Sequence, residues 1–159
     1  MNNHRFLELK YKNEIEKHIK LALPNLYGSF IQFKESDDYE DSNLSFDLVF
    51  NFNFTISIRI RNYKYLKYND MTIRYKTIKG NKTEFDKIKE GLAQIYFYAY
   101  ECPENKSFVK VRMSDVEAIR KLINDEKFIT KKNLDGSMLA AFKFNDISSY
   151  GGAIYKFDK

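Results

Sequence analysis

Residues 44 to 61 read Leu44-Ser-Phe-Asp-Leu-Val-Phe-Asn-Phe-Asn-Phe-Thr-Ile-Ser-Ile-Arg-Ile-Arg61, and every even position is apolar. The odd positions, Val49 excepted, are polar or charged: Ser45, Asp47, Asn51, Asn53, Thr55, Ser57, Arg59 and Arg61. Period-two alternation of this length specifies β structure with one face buried. A single strand of that length would reach roughly 60 Å, too long for a domain of 159 residues. The segment must fold back, and Asn51-Phe52-Asn53 is its turn-like spot. A two-residue loop would pair odd with even positions and set polar side chains against apolar ones. A three-residue loop, with Asn53 left-handed, keeps parity. It predicts Phe50 opposite Phe54, Leu48 opposite Ile56, Phe46 opposite Ile58 and Leu44 opposite Ile60. On the other face it sets Asp47 opposite Ser57 and Ser45 opposite Arg59; a slip by two brings Asp47 opposite Arg59 or Thr55. Asp47, with a hydroxyl and a guanidinium close by, is the first candidate site.

The remaining chain has the means to bury such a hairpin. It is 43% hydrophobic, with 14 Phe, 12 Tyr, two Pro and six Gly, which predicts one packed domain rather than disorder. The single cysteine, Cys102, excludes an internal disulfide and fits a reducing compartment. No apolar run is long enough to span a bilayer, and the N-terminus has no signal-peptide core; a cytoplasmic protein without membrane contact is expected. His4 and His18 are far apart and Cys102 stands alone, which disfavours a zinc site, and the scattered glycines form no phosphate-cradling loop.

Helical spacing of Phe6, Leu9, Ile15, Ile19, Ala22 and Leu23 predicts a helix over residues 4–22. A short strand is expected over Gly28–Lys34, then an acidic loop over residues 35–41, and the hairpin follows. Residues 62–79 read as a second, basic hairpin turning at Asn69-Asp70. Thr83, with Asp86 as partner, opens a helix carrying Phe85, Ile88 and Leu92. Ile95–Tyr100 is an aromatic run expected as a buried central strand. Another strand holds Phe108, Val109, Val111 and Met113. Ser114-Asp-Val-Glu117 reads as a capping box for a helix through Ile119, Leu122 and Ile123, and Asn133-Leu-Asp-Gly136 joins a final hairpin. The last residues read as a tail or an edge strand. This predicts an α/β (α+β) protein: a mixed sheet with an αβββαβ core flanked by helices, a basic β-hairpin and a C-terminal β-α-β-hairpin extension.

That core order, with an Asp on the second strand and a functional triplet on the third, resembles the restriction-endonuclease-like, PD-(D/E)XK nuclease superfamily, and the stretch Lys82-Thr-Glu-Phe-Asp-Lys-Ile-Lys-Glu-Gly91 with the Tyr-rich strand after it resembles its small phage-type members. In that superfamily the Asp and the acid of an acid-x-Lys triplet bind Mg²⁺ from neighbouring strands. The resemblance covers roughly residues 4 to 100. It places Asp47 on the Asp and Ser57-Ile58-Arg59 on the triplet, so Ser57 stands where the family has a carboxylate and Arg59 where it has Lys. Some relatives supply the acid from a helix; Glu84, Asp86, Glu14 and Glu16 are the candidates here, and Glu84 is taken with Asp47 as the metal pair. The resemblance implies a Mg²⁺-dependent endonuclease with Asp47, Ser57 and Arg59 at the site. Its alternative is an inactive relative, from a phage or mobile element, that binds nucleic acid or a host protein.

Charge points to a partner independently. Residues 59–82 hold eight Lys or Arg and one acid, Asp70, whereas residues 35–41 hold five acids and no base. Arg61, Tyr63, Lys64, Tyr65, Lys67, Arg74 and Lys76, with Tyr68 and Tyr75 among them, interleave cations that neutralise phosphates with rings that stack on bases. DNA or RNA is the expected partner, and the acidic loop offers a protein contact. The competing reading packs these tyrosines on the core. Asp47 likewise reads either as a metal ligand or as the partner of Arg59 or Arg61, because Arg binds carboxylate and phosphate alike.

Overall fold

The fold is that of a computed structural model, which describes residues 3–23, 34–35, 48–50, 54–102, 104 and 106–159. Its elements run α1 (Asn3–Ala22), β1 (Lys34–Glu35), β2 (Leu48–Phe50), β3 (Phe54–Arg61), a 3-10 helix (Tyr63–Tyr68), β4 (Asp70–Lys76), α2 (Glu84–Lys89), β5 (Ile95–Cys102), β6 (Ser107–Asp115), α3 (Val116–Asn124), β7 (Ile129–Lys132), β8 (Met138–Lys143), α4 (Phe144–Ser149) and β9 (Ala153–Asp158). The predicted mixed sheet with flanking helices is present. Six strands lie in the order β1-β2-β3-β5-β6-β9, and three more form a second sheet, β4-β8-β7.

The parity argument holds where β2 and β3 are described. They pair antiparallel with Leu48 opposite Ile56 and Phe50 opposite Phe54, the register a three-residue connection produces. Residues 44–47 and 51–53, and with them Asp47, lie outside the described residues, as does the strand expected over residues 28–33. Lys34 and Glu35 form β1, so the acidic segment contributes its first residue to the sheet. β5 pairs parallel with β3, and parallel neighbours require a crossover; here it contains the 3-10 helix, β4 and α2.

Two packed layers enclose the central sheet. Ile56, Ile58 and Ile60 of β3 and Ile95, Phe97 and Ala99 of β5 pack with Tyr11, Ile15 and Ile19 of α1. On the opposite face, Tyr96, Tyr98 and Tyr100 pack with Met71, Ile73, Ala140 and Phe142 of the second sheet and with Phe85, Ile88, Ile119 and Leu122 of α2 and α3. The expectation of one buried face is therefore corrected: the polar side of β3 is covered as well, with Thr55, Ser57 and Arg59 only 8%, 4% and 8% exposed.

Polar side chains make that covering possible. Tyr100 Oη donates to the Asp70 carbonyl at 2.7 Å, Thr72 N–H donates to Tyr98 Oη at 3.2 Å, and Arg74 N–H donates to Glu84 Oε2 at 3.1 Å. Alternate residues of a strand present their backbone groups to the same edge, so β5 and α2 satisfy an edge of β4 that would otherwise be buried unpaired.

Three further expectations are corrected. Residues 62–79 do not form a hairpin: 63–68 are a 3-10 helix, and β4 pairs with distant β8, Asp70 opposite Lys143 and Arg74 opposite Leu139. Asn62 caps the 3-10 helix and Asn69 ends it in the left-handed conformation at φ 48°, a cost that Asn tolerates. α3 is capped by Asp115, which accepts from Glu117 N–H at 2.8 Å, rather than by Ser114. α2 ends at Lys89, before Leu92. The hairpin around Asn133–Gly136 is present as β7 and β8, and the C-terminal residues form β9 at the edge of the central sheet.

Candidate nucleic-acid interface and the buried arginine site

β3 and β5 align the polar residues of β3 with a row of tyrosines: Ser57 beside Tyr96, Arg59 beside Tyr98 and Arg61 beside Tyr100. Opposite them, a reciprocal capping box fixes the start of α2. Asp86 N–H donates to Thr83 Oγ1 at 3.3 Å, and Thr83 N–H donates to Asp86 Oδ2 at 2.8 Å. Glu84, the first residue of α2, is thereby aimed at β3, and Arg59 Nη1 donates to its Oε2 at 2.7 Å. The same carboxylate accepts from Arg74 N–H at 3.1 Å and from Tyr96 Oη.

The electrostatics follow from this packing. Burial works against the Arg59 charge, but the Glu84 carboxylate, with Tyr96 and Tyr98, outweighs it and holds the guanidinium firmly protonated. Burial, then the Glu84 charge, pushes the Tyr96 phenol well above its ordinary value. Arg59 Nε is buried without a hydrogen-bond partner.

These donors do not fit Mg²⁺. The ion is hard and is usually held by one or two carboxylates with water and phosphate oxygens. Glu84 already receives a guanidinium, an amide and a phenol, Ser57 supplies only a hydroxyl, and Arg59 is a neighbouring cation. Among the described residues no group of three or more His, Cys, Asp and Glu side chains converges; Asp47 lies outside them. Arg59 and Glu84, both selected from the sequence, do meet, and they meet as an ion pair.

The basic cluster is divided by the fold. Arg61 is half-buried, its guanidinium 4.6 Å from the centre of the Tyr65 ring. Tyr65 and Leu66 pack on the core, so the 3-10 helix turns Tyr63 and Tyr68 outward, 56% and 53% exposed, together with Lys64 and Lys67. Lys67 and Lys131 lie 5.2 and 4.9 Å from the centre of the Tyr68 ring. Lys131 also pairs with Asp70, and Lys110 donates to Asn69 Oδ1 at 2.9 Å. Arg74 and Lys76 are exposed further along β4, Arg74 level with Lys131 across β8. Lys110 and Lys131 escape a sequence reading because β6 and β7 bring them in from far along the chain.

The chain matches no family model and no curated protein. No helix among the described residues is long and apolar enough to cross a membrane.

Proposed function

We propose that this protein binds nucleic acid through the surface of its 3-10 helix. Lys64, Lys67 and Lys131 neutralise phosphates, with Lys131 sharing its charge with Asp70, while Tyr63 and Tyr68 offer ring faces to bases. The observation that carries this reading is the outward turn of the 3-10 helix, which leaves two tyrosines more than half exposed beside two exposed lysines.

The order of α1, β1–β3, α2 and β5, with β5 parallel to β3, supports a relative of the restriction-endonuclease-like superfamily. The Arg59–Glu84 pair favours the inactive branch of that resemblance: a nuclease-like fold that acts by occupying DNA or RNA. Cleavage with Mg²⁺ needs a carboxylate besides Glu84, which is paired with Arg59, and Asp47 is the residue to test for it.

Fluorescence anisotropy with DNA and RNA oligonucleotides tests binding. Three phosphate contacts predict that log K falls against log salt with a slope of about −2 to −3; no binding at low salt, or binding insensitive to salt, overturns the proposal. A plasmid and RNA cleavage assay with Mg²⁺ or Mn²⁺ separates the two branches. Cleavage abolished by Asp47→Ala establishes the enzyme, and binding without cleavage establishes the inactive relative.

A further inference from the structure

The second sheet ends in a tip built by two touching loops. Between β7 and β8, Asn133 N–H donates to the Ser137 carbonyl at 2.8 Å and Gly136 N–H to the Asn133 carbonyl at 3.0 Å. Ser137 N–H donates to Asp135 Oδ1 at 2.9 Å, and its hydroxyl donates to the same oxygen at 2.6 Å. Gly136 takes φ 81°, a conformation glycine adopts without strain. This closed turn holds Leu134 wholly in solvent. The loop after β4 leaves Ile78 72% exposed, and Ile78 Cδ1 lies 3.7 Å from where a Cβ on Gly136 would stand. Lys76, Lys79 and Lys132 are exposed in the same two loops and the strand ends that lead into them. The acid of the turn, Asp135, accepts both Ser137 bonds, which hold its carboxyl below the usual range and keep it ionised, a negative charge set among these lysines.

A lone exposed aliphatic residue needs no explanation. Two on adjoining loops, one held out by a hydrogen-bonded turn among lysines, form a rigid wedge with a cationic surround. We infer that this tip inserts into duplex nucleic acid, with Leu134 and Ile78 entering a base step while Lys76, Lys79 and Lys132 hold the flanking phosphates. Proteins that kink duplexes use apolar wedges of this kind. The inference rests on the proposed nucleic-acid binding and extends it to the tip of the same sheet, since β7 carries Lys131 against Tyr68 and ends at Lys132. A bilayer is the weaker match: two aliphatic side chains bury less apolar area than a myristoyl chain, which alone binds membranes only marginally.

The test uses the full chain, Leu134→Ser, and a duplex oligonucleotide carrying 2-aminopurine, whose fluorescence rises on unstacking. Wild type is expected to raise the fluorescence. Leu134→Ser is expected to abolish the rise and weaken duplex binding about tenfold, with single-strand affinity unchanged. Wild-type duplex binding with the same response from Leu134→Ser overturns the wedge and leaves the 3-10 helix interface standing. Absence of any nucleic-acid binding overturns both. Co-sedimentation with phosphatidylglycerol vesicles that is lost in Leu134→Ser overturns the wedge in favour of a lipid surface.

Discussion

Arg59 donates to Glu84 at 2.7 Å from a strand whose polar side is roofed by β4, and the pair acts as an electrostatic pin beneath that roof. Removing one partner of a buried ion pair is far more damaging than replacing both, because the survivor keeps its desolvated charge. Glu84→Gln is expected to cost about 3 kcal/mol in equilibrium urea unfolding. Arg59→Met combined with Glu84→Gln is expected to recover part of that loss, since the glutamine oxygen can still accept from Arg74 N–H and its amide N–H can donate to Tyr96 Oη, while no charge is stranded. Strictly additive single effects would show that the two side chains do not act as a unit.

His18 gives stability a pH dependence of known sign. It is fully buried on α1, with Nδ1 3.1 Å from Tyr155 Oη on β9 and its ring against Phe108 and Phe157. Burial lowers its pKa below the ordinary 6.5; Glu14 opposes that shift and Lys17 adds to it. As pH falls the unfolded chain takes up the proton first. The contribution is therefore complete above about 6.5 and is lost as pH drops through that value toward the folded pKa. Urea midpoints measured between pH 8 and 5 should fall for wild type. His18→Phe should fall less steeply, and equal slopes would remove His18 as the cause.

Much of this architecture is legible locally, and the failures have a common origin. Parity excludes a slip of one residue, which would invert every side chain, and a three-residue connection then sets Leu48 against Ile56. Thr83 with Asp86, and Asn133 to Gly136, signal their structures through residues that touch each other. The 3-10 helix is different: Tyr63-Lys-Tyr-Leu-Lys-Tyr68 imitates a strand, and what decides against it is the pairing of β4 with β8, far along the sequence. The alternation through Arg59 reports side-chain chemistry without reporting what covers it. Tyr98, Tyr100 and Glu84 supply the hydrogen bonds that let a polar face be buried, and only the tertiary structure brings them there.

Gly152 joins β9 to the end of α4 with no room for a side chain. Its N–H donates to the Ile147 carbonyl at 2.9 Å, and its carbonyl accepts from Asp115 N–H at 2.9 Å. A Cβ there would collide with the Ala118 methyl and stand 3.0 Å from Ile147 Cγ2. Gly152→Ala should cost roughly 1–3 kcal/mol by overpacking. Adding Ala118→Gly should restore part of that in thermal unfolding; no restoration would place the conflict at Ile147 instead.

The 3-10 helix separates charge from stacking in a single experiment. Lys64 and Lys67 act on phosphates, so Lys64→Ala with Lys67→Ala should weaken binding and reduce the salt slope by about two, one per contact. Tyr63 acts on bases, and Tyr63→Ala should lower affinity by about tenfold, a stacking contribution of roughly 1–3 kcal/mol, without altering the slope. Anisotropy titrations across a salt series measure both quantities together. If the lysine variant keeps the wild-type slope, phosphates are held elsewhere. If Tyr63→Ala binds as tightly as wild type, its exposed ring contributes no stacking.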